Sequence, residues 1–564
     1  MIRDIDVAII GGGPAGSTVG TLLKKYGRKL NVAIFERERF PRDHVGESQL
    51  PAIGKVLDEM GVWNAVEAAG FPIKIGATYR WGTTDDLWDF DFAKGVELTD
   101  RGRPSKFEGV RRETAFQVER GLYDKILLDH AAKMGCQVFQ ETAVREVLRE
   151  GDRVTSLKLS TGEEISPRYV IDASGSGGIV RRAMGVGTTV PTSLMNIAIW
   201  RYWQNAEWAE KIGVGGTRVQ VMSIGYGWLW FIPLGPTRTS VGFVVPAQYY
   251  KESGERPEAL YERAIAEDPL IARLLQNATA EEGTHATKDW SFLSDRTAGE
   301  NWFLAGESAG FADPILAAGM TLAHQGAREL AYTIVALEQG REDAQWLKDS
   351  YCDAQRKRLG QHIRFADYWY SANAQFTDLK EFTREIARDA GLELDADSAW
   401  QWLGTGGFTN EQLGATNLGS FDVRAIKLLT ERLGDRIATW TITKTNRFTL
   451  DLEGAETIYL PFYHDGQIDR VKCYQRGDRR LPVLGVYQAV IRALKWGGEV
   501  AKFLVNIEAI RFSSFPHIHP EHFQLYAFQT LEVMVTDGWV KAELDPDQVC
   551  LTFTDEPLPS HVAT

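Results

Sequence analysis

The N-terminal segment of this 564-residue chain combines a strand, a glycine-rich turn and a helix. Residues 7–10 read Val-Ala-Ile-Ile, an apolar run typical of a fully buried strand, and residues 17–26 have the apolar spacing of a helix. Gly11, Gly13 and Gly16 lie between them, a spacing that allows a tight turn, close approach of the backbone to phosphates, and packing of helix on strand. The pattern predicts a dinucleotide pyrophosphate at the helix N-terminus.

A second predicted strand, residues 31–35, ends at Glu36. Glu36 follows Gly16 by about 20 residues, the spacing at which a carboxylate accepts hydrogen bonds from the adenosine ribose of the cofactor. The motif alone leaves FAD and NAD open. We expect cofactor contacts from Gly11, Gly13, Pro14, Ala15, Gly16, Glu36 and Arg37.

Charge and cysteine content narrow the class of protein. Lys and Arg number 63 against 76 Asp and Glu, a net charge of -13, so the chain lacks the basic surface that nucleic-acid binding requires. The 4 cysteines form no Cys-x-x-Cys pair, which predicts neither a disulfide framework nor a zinc site. The first residues lack the pattern of a secretion signal, and glycines and prolines interrupt the longest uncharged run, residues 219–237. We expect a soluble, cytoplasmic protein that binds no metal, nucleic acid or membrane.

Four later segments resemble the cofactor-contacting segments of the flavin-dependent halogenases and the related aromatic monooxygenases. They are Gly-Glu-Ser at residues 46–48, Phe-Gln-Val-Glu-Arg within residues 116–124, a strand ending in Asp-Ala-Ser-Gly at residues 169–175, and Gly-Glu-Ser-Ala-Gly-Phe-Ala-Asp-Pro at residues 306–314. Together with the N-terminal motif they follow the order of the family and span residues 5 to about 330. The resemblance implies that the cofactor is FAD.

The same resemblance implies an α/β fold, with a Rossmann-like FAD-binding domain of the glutathione-reductase type, an interleaved antiparallel substrate subdomain and a mixed α/β C-terminal region. The chain has no second glycine-rich strand, turn and helix with the full spacing, so no NAD(P)H domain is expected, and FADH2 would come from a separate flavin reductase. Further FAD contacts are implied for Ser48, Arg120, Gly306, Glu307, Pro314, Gly319 and Met320.

Residues 228–233 read Trp-Leu-Trp-Phe-Ile-Pro and match the Trp-x-Trp-x-Ile-Pro signature of the halogenases. The alternation predicts a half-buried strand, with residues 239–245 returning as its hairpin partner. On this pattern alone, Trp228 and Trp230 fit equally well as core residues. The resemblance implies that the two indoles gate the site, because they keep the organic substrate away from the flavin while halide is oxidised.

Lys74 lies in the segment Gly-Phe-Pro-Ile-Lys-Ile-Gly, at a position that resembles the catalytic lysine of the family. Lysines are usually solvated, but the apolar neighbours Phe71, Ile73 and Ile75 favour a semi-buried site. A buried amine can donate a hydrogen bond to hypohalous acid, and its pKa falls enough to make it nucleophilic. The resemblance implies that Lys74 directs the halogen at an electron-rich arene.

A predicted helix begins near Gly319, and a helix N-terminus favours an anion. We expect the backbone N–H groups of Ala318 and Gly319 to hold halide, a role that is compatible with holding the flavin pyrimidine. The family pattern Phe-x-x-Pro-x-x-Ser-x-Gly has Ala317 in place of its serine, and Glu307 stands where the late flavin motif has aspartate. Loss of the serine hydroxyl leads to the hypothesis that bromide or iodide is preferred over chloride.

The resemblance therefore implies an FADH2-dependent halogenase that makes hypohalous acid from halide and O2 and delivers it through Lys74. The substrate would be an aromatic small molecule or an aromatic group tethered to a carrier protein. Alternatives on the same fold are a single-component hydroxylase that binds NADPH and a flavin-dependent reductase, and a flavin-binding sensor without turnover is a third. Glu47 and His44 are candidates for the base that accepts the ring proton, although structural roles fit them as well.

The expected organisation is a flavoprotein module over residues 1–340, with its substrate-side sheet at about 75–110 and 185–290, a helical region over 341–430 and an α/β unit over 431–564. The last unit is predicted to contain one helix over residues 481–506 and is compatible with a winged-helix-like fold. In so acidic a chain, substrate capping or dimerisation is a better role for it than DNA binding. A homodimer stays an option.

Overall fold

The computed structural model describes residues 4–81, 86–92, 103–190, 195–371, 417–418, 421–422, 440–477 and 479–552. Up to residue 190 the strands are β1 (Val7–Ile10), β2 (Val32–Phe35), β3 (Ile73–Arg80), β4 (Trp88–Asp91), β5 (Ala115–Phe116), β6 (Gln137–Phe139), β7 (Val144–Glu150), β8 (Arg153–Leu159), β9 (Glu164–Ile165), β10 (Tyr169–Asp172) and β11 (Thr188–Thr189). The helices there are α1 (Pro14–Tyr26), α2 (Ala52–Met60), α3 (Trp63–Ala68), α4 (Arg120–Lys133) and α5 (Ile179–Ala183).

From residue 195 the strands continue as β12 (Met195–Gln204), β13 (Gly216–Ile224), β14 (Gly227–Pro233), β15 (Arg238–Pro246), β16 (Thr279–Ala280), β17 (His285–Trp290), β18 (Phe292–Ser294), β19 (Trp302–Leu304), β20 (Gly310–Phe311), β21 (Asn417–Leu418), β22 (Phe421–Asp422), β23 (Arg447–Leu450), β24 (Glu456–His464), β25 (Gln467–Arg476), β26 (Arg479–Pro482) and β27 (Val540–Glu543). The helices are α6 (Ala247–Ser253), α7 (Pro257–Glu267), α8 (Pro269–Leu275), α9 (Gly319–Gln339), α10 (Ala344–Ser371), α11 (Gly485–Trp496), α12 (Val500–Ser514) and α13 (Pro520–Thr536).

A parallel five-stranded sheet in the order β19-β10-β1-β2-β6 organises the N-terminal module. Strand β1 is apolar throughout because both its faces are covered. Val7 and Ile9 pack in one core with residues of α1 and α9, while Ala8 and Ile10 pack in another with residues of the small antiparallel sheet β7-β8-β9. The chain leaves β1 in one direction for β2 and later returns on the other side as β10. This reversal opens a crevice at the carboxyl ends of β1 and β10, where α/β sheets bind ligands.

The second large sheet is mainly antiparallel and contains nine strands, with the principal order β16-β12-β15-β14-β13-β3-β4; β17 also pairs with β12, and β5 with β3. One face carries aliphatic side chains that pack on α7 and α8. The opposite face is rich in tryptophan and tyrosine, and the C-terminal part of α10 packs on it. Strand β5 joins this sheet to the module of the five-stranded parallel sheet, because α4 follows it almost immediately.

The C-terminal elements form a separate apolar core around α11, α12 and α13. They also contact α10 and the segment just before it: Arg480 Nη1 donates to Asp353 at 2.5 Å, and Arg470 Nε donates to Glu342 at 2.7 Å. The prediction of one helix over residues 481–506 is wrong. The chain leaves β26, forms α11, and breaks at Gly497 and Gly498 before α12. Gly498 packs against Phe448 so closely that a Cβ would collide with the carbonyl oxygen of Phe448, so this break requires glycine.

Some sequence predictions fall on residues that the structure does not describe. These include residues 93–102 of the predicted substrate-side sheet and most of the predicted helical region beyond residue 371. The division of the chain near residues 340 and 430 stays a prediction. Among the described helices, none is both long enough and apolar enough to cross a membrane.

Candidate functional site

Three sequence motifs meet at the carboxyl ends of β1, β10 and β19. Gly11 has a φ of 107°, and a Cβ there would collide with the carbonyl oxygen of Ala173, which directly follows β10. Gly306 has a φ of 63°, and its Cβ would lie 3.0 Å from Ala15 Cβ in the first turn of α1. These two positions require glycine, because a side chain would be strained by its backbone conformation and would crowd the junction between the motifs.

The turn before α1 has the shape of a phosphate cradle. Gly16 packs so closely on the turn that a Cβ would collide with the preceding backbone, whereas at Gly13 the nearest atom to an added Cβ is an arginine nitrogen 3.6 Å away. Pro14 occupies the first turn of α1, where its missing N–H costs nothing. Glu36 is 5% exposed, and its Oε2 accepts from Gly12 N at 2.7 Å, so the acidic residue lies beside the turn as expected.

The arginine nitrogen beside Gly13 belongs to Arg42, which sequence reasoning missed. Its Nη1 is buried and makes no hydrogen bond within the described residues, although it lies 3.4 Å from a carboxylate oxygen of Asp124. The predicted contact Arg37 instead has a side chain that is 74% exposed and pairs with Glu38. Arg42 is therefore the better placed of the two to neutralise a pyrophosphate.

Arg120 fixes the segment that carries the Gly-Glu-Ser motif. Its guanidinium donates to both carboxylate oxygens of Asp124 at 2.8 and 2.9 Å, and to the carbonyl oxygens of Val45 and Gly46. Glu307 lies opposite, with Oε2 3.7 Å from the Cβ position of Gly175. Burial raises the pKa of Glu307, and the charge of Arg120 opposes that shift. The cofactor contact expected of Glu307, in place of the family's aspartate, stays a prediction.

A tight turn precedes α9, in the segment predicted to hold halide. Asp313 Oδ1 accepts from Ile315 N at 2.9 Å, and Ala317 adopts the left-handed conformation with φ 53°. A left-handed residue after right-handed ones turns successive N–H groups toward one concave side, a geometry that binds anions. Ala318 caps α9, Gly319 begins it, and Met320 is 6% exposed. For Ala317 this conformation costs about 1–2 kcal/mol, which the surrounding contacts must offset.

Lys74 lies on β3 and is 2% exposed. Its partner across the strand pair is Ala115, and its Nζ lies 5.3 Å from the centroid of the Phe92 ring. Desolvation lowers the pKa of Lys74 to about 7. Within the described residues it forms no salt bridge. A lysine with this pKa is present as both ammonium and free amine near neutral pH.

The two signature tryptophans are buried on β14, and each indole is hydrogen-bonded. Trp230 Nε1 donates to Ser240 Oγ at 3.1 Å, and Trp228 Nε1 donates to Tyr370 Oη at 2.7 Å. Tyr370 in turn donates to Asp313 Oδ1 at 3.0 Å. A chain of hydrogen bonds therefore joins Trp228, through α10, to the turn that precedes α9. Burial raises the pKa of Asp313 to about 6.

The two candidate bases, Glu47 and His44, lie in surroundings that shift their pKa values. Glu47 is fully buried, accepts from Tyr202 Oη at 3.0 Å, and has a pKa that burial raises to about 7. His44 bonds the Val45 carbonyl through Nδ1, and the charge of Arg120, together with burial, lowers its pKa to about 4. A histidine with this pKa is neutral at physiological pH.

The residues at the crevice fit FAD. Gly13 leaves its cradle open, Arg42 Nη1 is a buried cation without a hydrogen-bond acceptor among the described residues, and Ser48 Oγ is a buried hydroxyl equally without a partner there. Buried polar groups are normally satisfied, so these atoms are available to hydrogen-bond the cofactor. The described residues contain no cluster of three or more His, Cys, Asp or Glu side chains that could hold a metal.

Similarity to known proteins shows the class and the family of this chain. The model of the FAD binding domain family matches residues 4–366, so this is an FAD-binding flavoprotein. The chain is 33% identical over 380 residues to tryptophan 2-halogenase of Chondromyces crocatus, covering 65% of this chain and 68% of the relative. It is also 33% identical over 390 residues to the 1H-pyrrole-2-carbonyl-[peptidyl-carrier protein] chlorinase of Pseudomonas fluorescens, covering 66% and 85%. The chain belongs to the flavin-dependent halogenases.

Solved structures agree with this assignment. The myxobacterial chondrochloren halogenase CndH is 27% identical with a TM-score of 0.60, covering 76% of this chain and 96% of its own. CmlS, a flavin-dependent halogenase, shares the fold over 99% of both chains with a TM-score of 0.72 at 24% identity. The predicted α/β flavoprotein fold, the FAD cofactor and the FAD-dependent halogenase activity are confirmed.

Proposed function

We propose that this halogenase acts on an electron-rich aromatic substrate, free or tethered to a carrier protein, and that Lys74 directs the halogen. The environment of Lys74 carries the proposal, because a buried lysine whose pKa desolvation lowers to about 7 can donate a hydrogen bond to hypohalous acid and also attack it as an amine. Tryptophan and pyrrole, named in two relatives, are both electron-rich aromatic rings.

FAD, reduced by a separate flavin reductase and bound at the crevice, would activate O2, and the activated oxygen would oxidise halide to hypohalous acid. The residues of the chain have distinct tasks around it. The N–H groups of Ala318 and Gly319 hold the halide on the concave side of the turn that the left-handed Ala317 creates. Trp228 and Trp230 separate the arene from the flavin, and the Trp228 hydrogen bond to Tyr370 fixes the first indole in place.

A mass-spectrometric screen tests this function. The protein is supplied with FAD, NADH, a flavin reductase, O2 and each halide in turn, against indoles, phenols, pyrroles and a pyrrolyl carrier protein. We expect halogenated product only when the reductase and a halide are both present. Hydroxylated product, or oxidation of NADPH without added reductase, would instead place the chemistry with the single-component hydroxylases.

We expect the protein to prefer bromide over chloride, because Ala317 lacks the serine hydroxyl of the family pattern. In an equimolar mixture of chloride and bromide the wild-type protein should form mainly brominated product. Ala317→Ser adds a hydrogen-bond donor, which bonds the smaller chloride more strongly than bromide, so it should raise the ratio of chlorinated to brominated product by up to about 5-fold, the factor for about 1 kcal/mol. Ala317→Gly relieves the left-handed backbone without adding a donor and should leave the ratio unchanged. Chloride preference in the wild-type protein would contradict the hypothesis.

A further inference from the structure

Gln117 is a buried side chain that the proposed roles leave unused. It is 0% exposed, and neither its Oε1 nor its Nε2 has a hydrogen-bond partner within the described residues. Its backbone N–H, by contrast, is hydrogen-bonded: Gln117 N donates to Pro72 O at 3.0 Å. Leaving a buried polar group unsatisfied costs roughly 1–3 kcal/mol, so this amide is available to a small polar ligand that reaches it.

Strand register places Gln117 between the FAD side and Lys74. Strand β5 lies between β3 and the Gly-Glu-Ser segment: Lys74 pairs with Ala115, and Ser48 forms a bridge with Gln117. Directly opposed residues share a face of a sheet, and so do residues two apart on one strand. Lys74, Gln117 and Ser48 therefore lie on the same face, with Gln117 on the middle strand.

The distances between Ser48, Gln117 and Lys74 follow from their positions in the sheet. Ser48 and Gln117 are direct cross-strand partners, with Cβ atoms about 5 Å apart in this geometry, and Gln117 is a diagonal neighbour of Lys74 at about 7–8 Å. Diagonal neighbours at this separation are within reach of each other's ends when the side chains are as long as those of glutamine and lysine. The face leads from Ser48, which fits the FAD site, to Lys74, which the proposed function makes the point of delivery.

We propose that Gln117 holds hypohalous acid on its way from the flavin site to Lys74. The carboxamide offers one acceptor, Oε1, and two N–H donors, which match the O–H and the oxygen lone pairs of the acid. An amide nitrogen is a much weaker nucleophile than the amine of Lys74, so Gln117 can bind the acid without being halogenated. This inference rests on the proposed role of Lys74.

The test is the partition of hypohalous acid in Gln117→Leu. Product is measured by mass spectrometry and escaped acid by a dione scavenger in solution, with bromide as halide and FADH2 from an added reductase. We expect the ratio of scavenged to transferred halogen to rise about 10-fold, as for loss of one to two hydrogen bonds. Total halide oxidation, and FAD affinity by flavin fluorescence, are measured alongside, because Gln117 lies in a segment that is expected to contact the cofactor.

Gln529→Leu is the matched control, because Gln529 is 1% exposed and its amide also has no partner within the described residues, but it lies on α13 in the C-terminal core. Without FAD, both variants should resist denaturant better than the wild-type protein, and only Gln117→Leu should change the partition. An unchanged partition, or a fall in FAD affinity that accounts for the whole effect, would overturn the inference. Failure of the proposed function looks different, since then Lys74→Met would leave transfer intact.

Discussion

A Lys74→Met variant is expected to be more stable than the wild-type protein while forming at least about 100-fold less halogenated product, the loss typical of removing a proton-transferring or nucleophilic group. The stability gain follows from burial. The pKa of Lys74 falls from 10.5 to about 7, which corresponds to roughly 5 kcal/mol of unfavourable free energy for keeping an ammonium in an apolar site. Methionine has a similar length and carries no charge.

The stability difference between Lys74→Met and the wild-type protein should depend on pH. Between about pH 7 and 10.5 the unfolded chain binds more protons at this lysine than the folded chain, so wild-type stability rises with pH through that window. The advantage of Lys74→Met in denaturant unfolding should therefore be full below about pH 7 and shrink toward pH 10.5. Lys55→Met, at an exposed position on α2, should change stability by less than about 0.5 kcal/mol. Equal stability of Lys74→Met and wild type at all pH values would show that Lys74 is solvated.

Gly13→Ala is expected to weaken FAD binding at least about 100-fold, equivalent to ~2.7 kcal/mol, without weakening the apoprotein. The backbone at Gly13, with φ -68° and ψ -171°, is allowed for alanine, and an added Cβ meets only Arg42 Nη2 at 3.6 Å. The new methyl group therefore disturbs no protein contact and occupies the open side of the turn, where the pyrophosphate must approach the backbone. Titration of the apoprotein with FAD, followed by flavin fluorescence, measures the effect.

Alanine substitutions at two other glycines serve as controls for Gly13→Ala. Gly235→Ala adds a methyl group with no atom within 4 Å and should leave FAD affinity unchanged. Gly16→Ala would collide with the carbonyl oxygen of Gly11 and should lower the stability of the apoprotein itself. Wild-type FAD affinity in Gly13→Ala would contradict the assignment of this turn to the pyrophosphate.

The sequence predicts those parts of the site that local spacing determines. Gly11, Gly13 and Gly16 act within a single turn, so their geometry can be derived from neighbours in the chain. The same holds for the strand of Trp228 and Trp230, whose hairpin has the predicted partner. Lys74 was expected to be semi-buried and is nearly inaccessible, because residues of distant strands cover it.

Residues that act through distant partners could not be found in this way. Tyr370 bonds Trp228 from 142 positions away, and Arg42 matters only because its segment folds back beside Gly13. Gln117 belongs to the Phe-Gln-Val-Glu-Arg motif, but only the packed interior shows that its amide has no partner within the described residues. The helix predicted over residues 481–506 failed for a local reason, since apolar spacing on both sides of Gly498 outweighed the glycine pair in the pattern.

The most direct test of delivery through Lys74 is to follow the fate of oxidised bromide in Lys74→Met with FADH2, O2, an accepted arene and a dione scavenger present together. We expect the variant still to oxidise bromide at close to the wild-type rate, with the oxidised halogen on the scavenger and at least about 100-fold less on the arene than in the wild-type protein. Halogenated arene formed by Lys74→Met at the wild-type level and with the wild-type regiochemistry would contradict it.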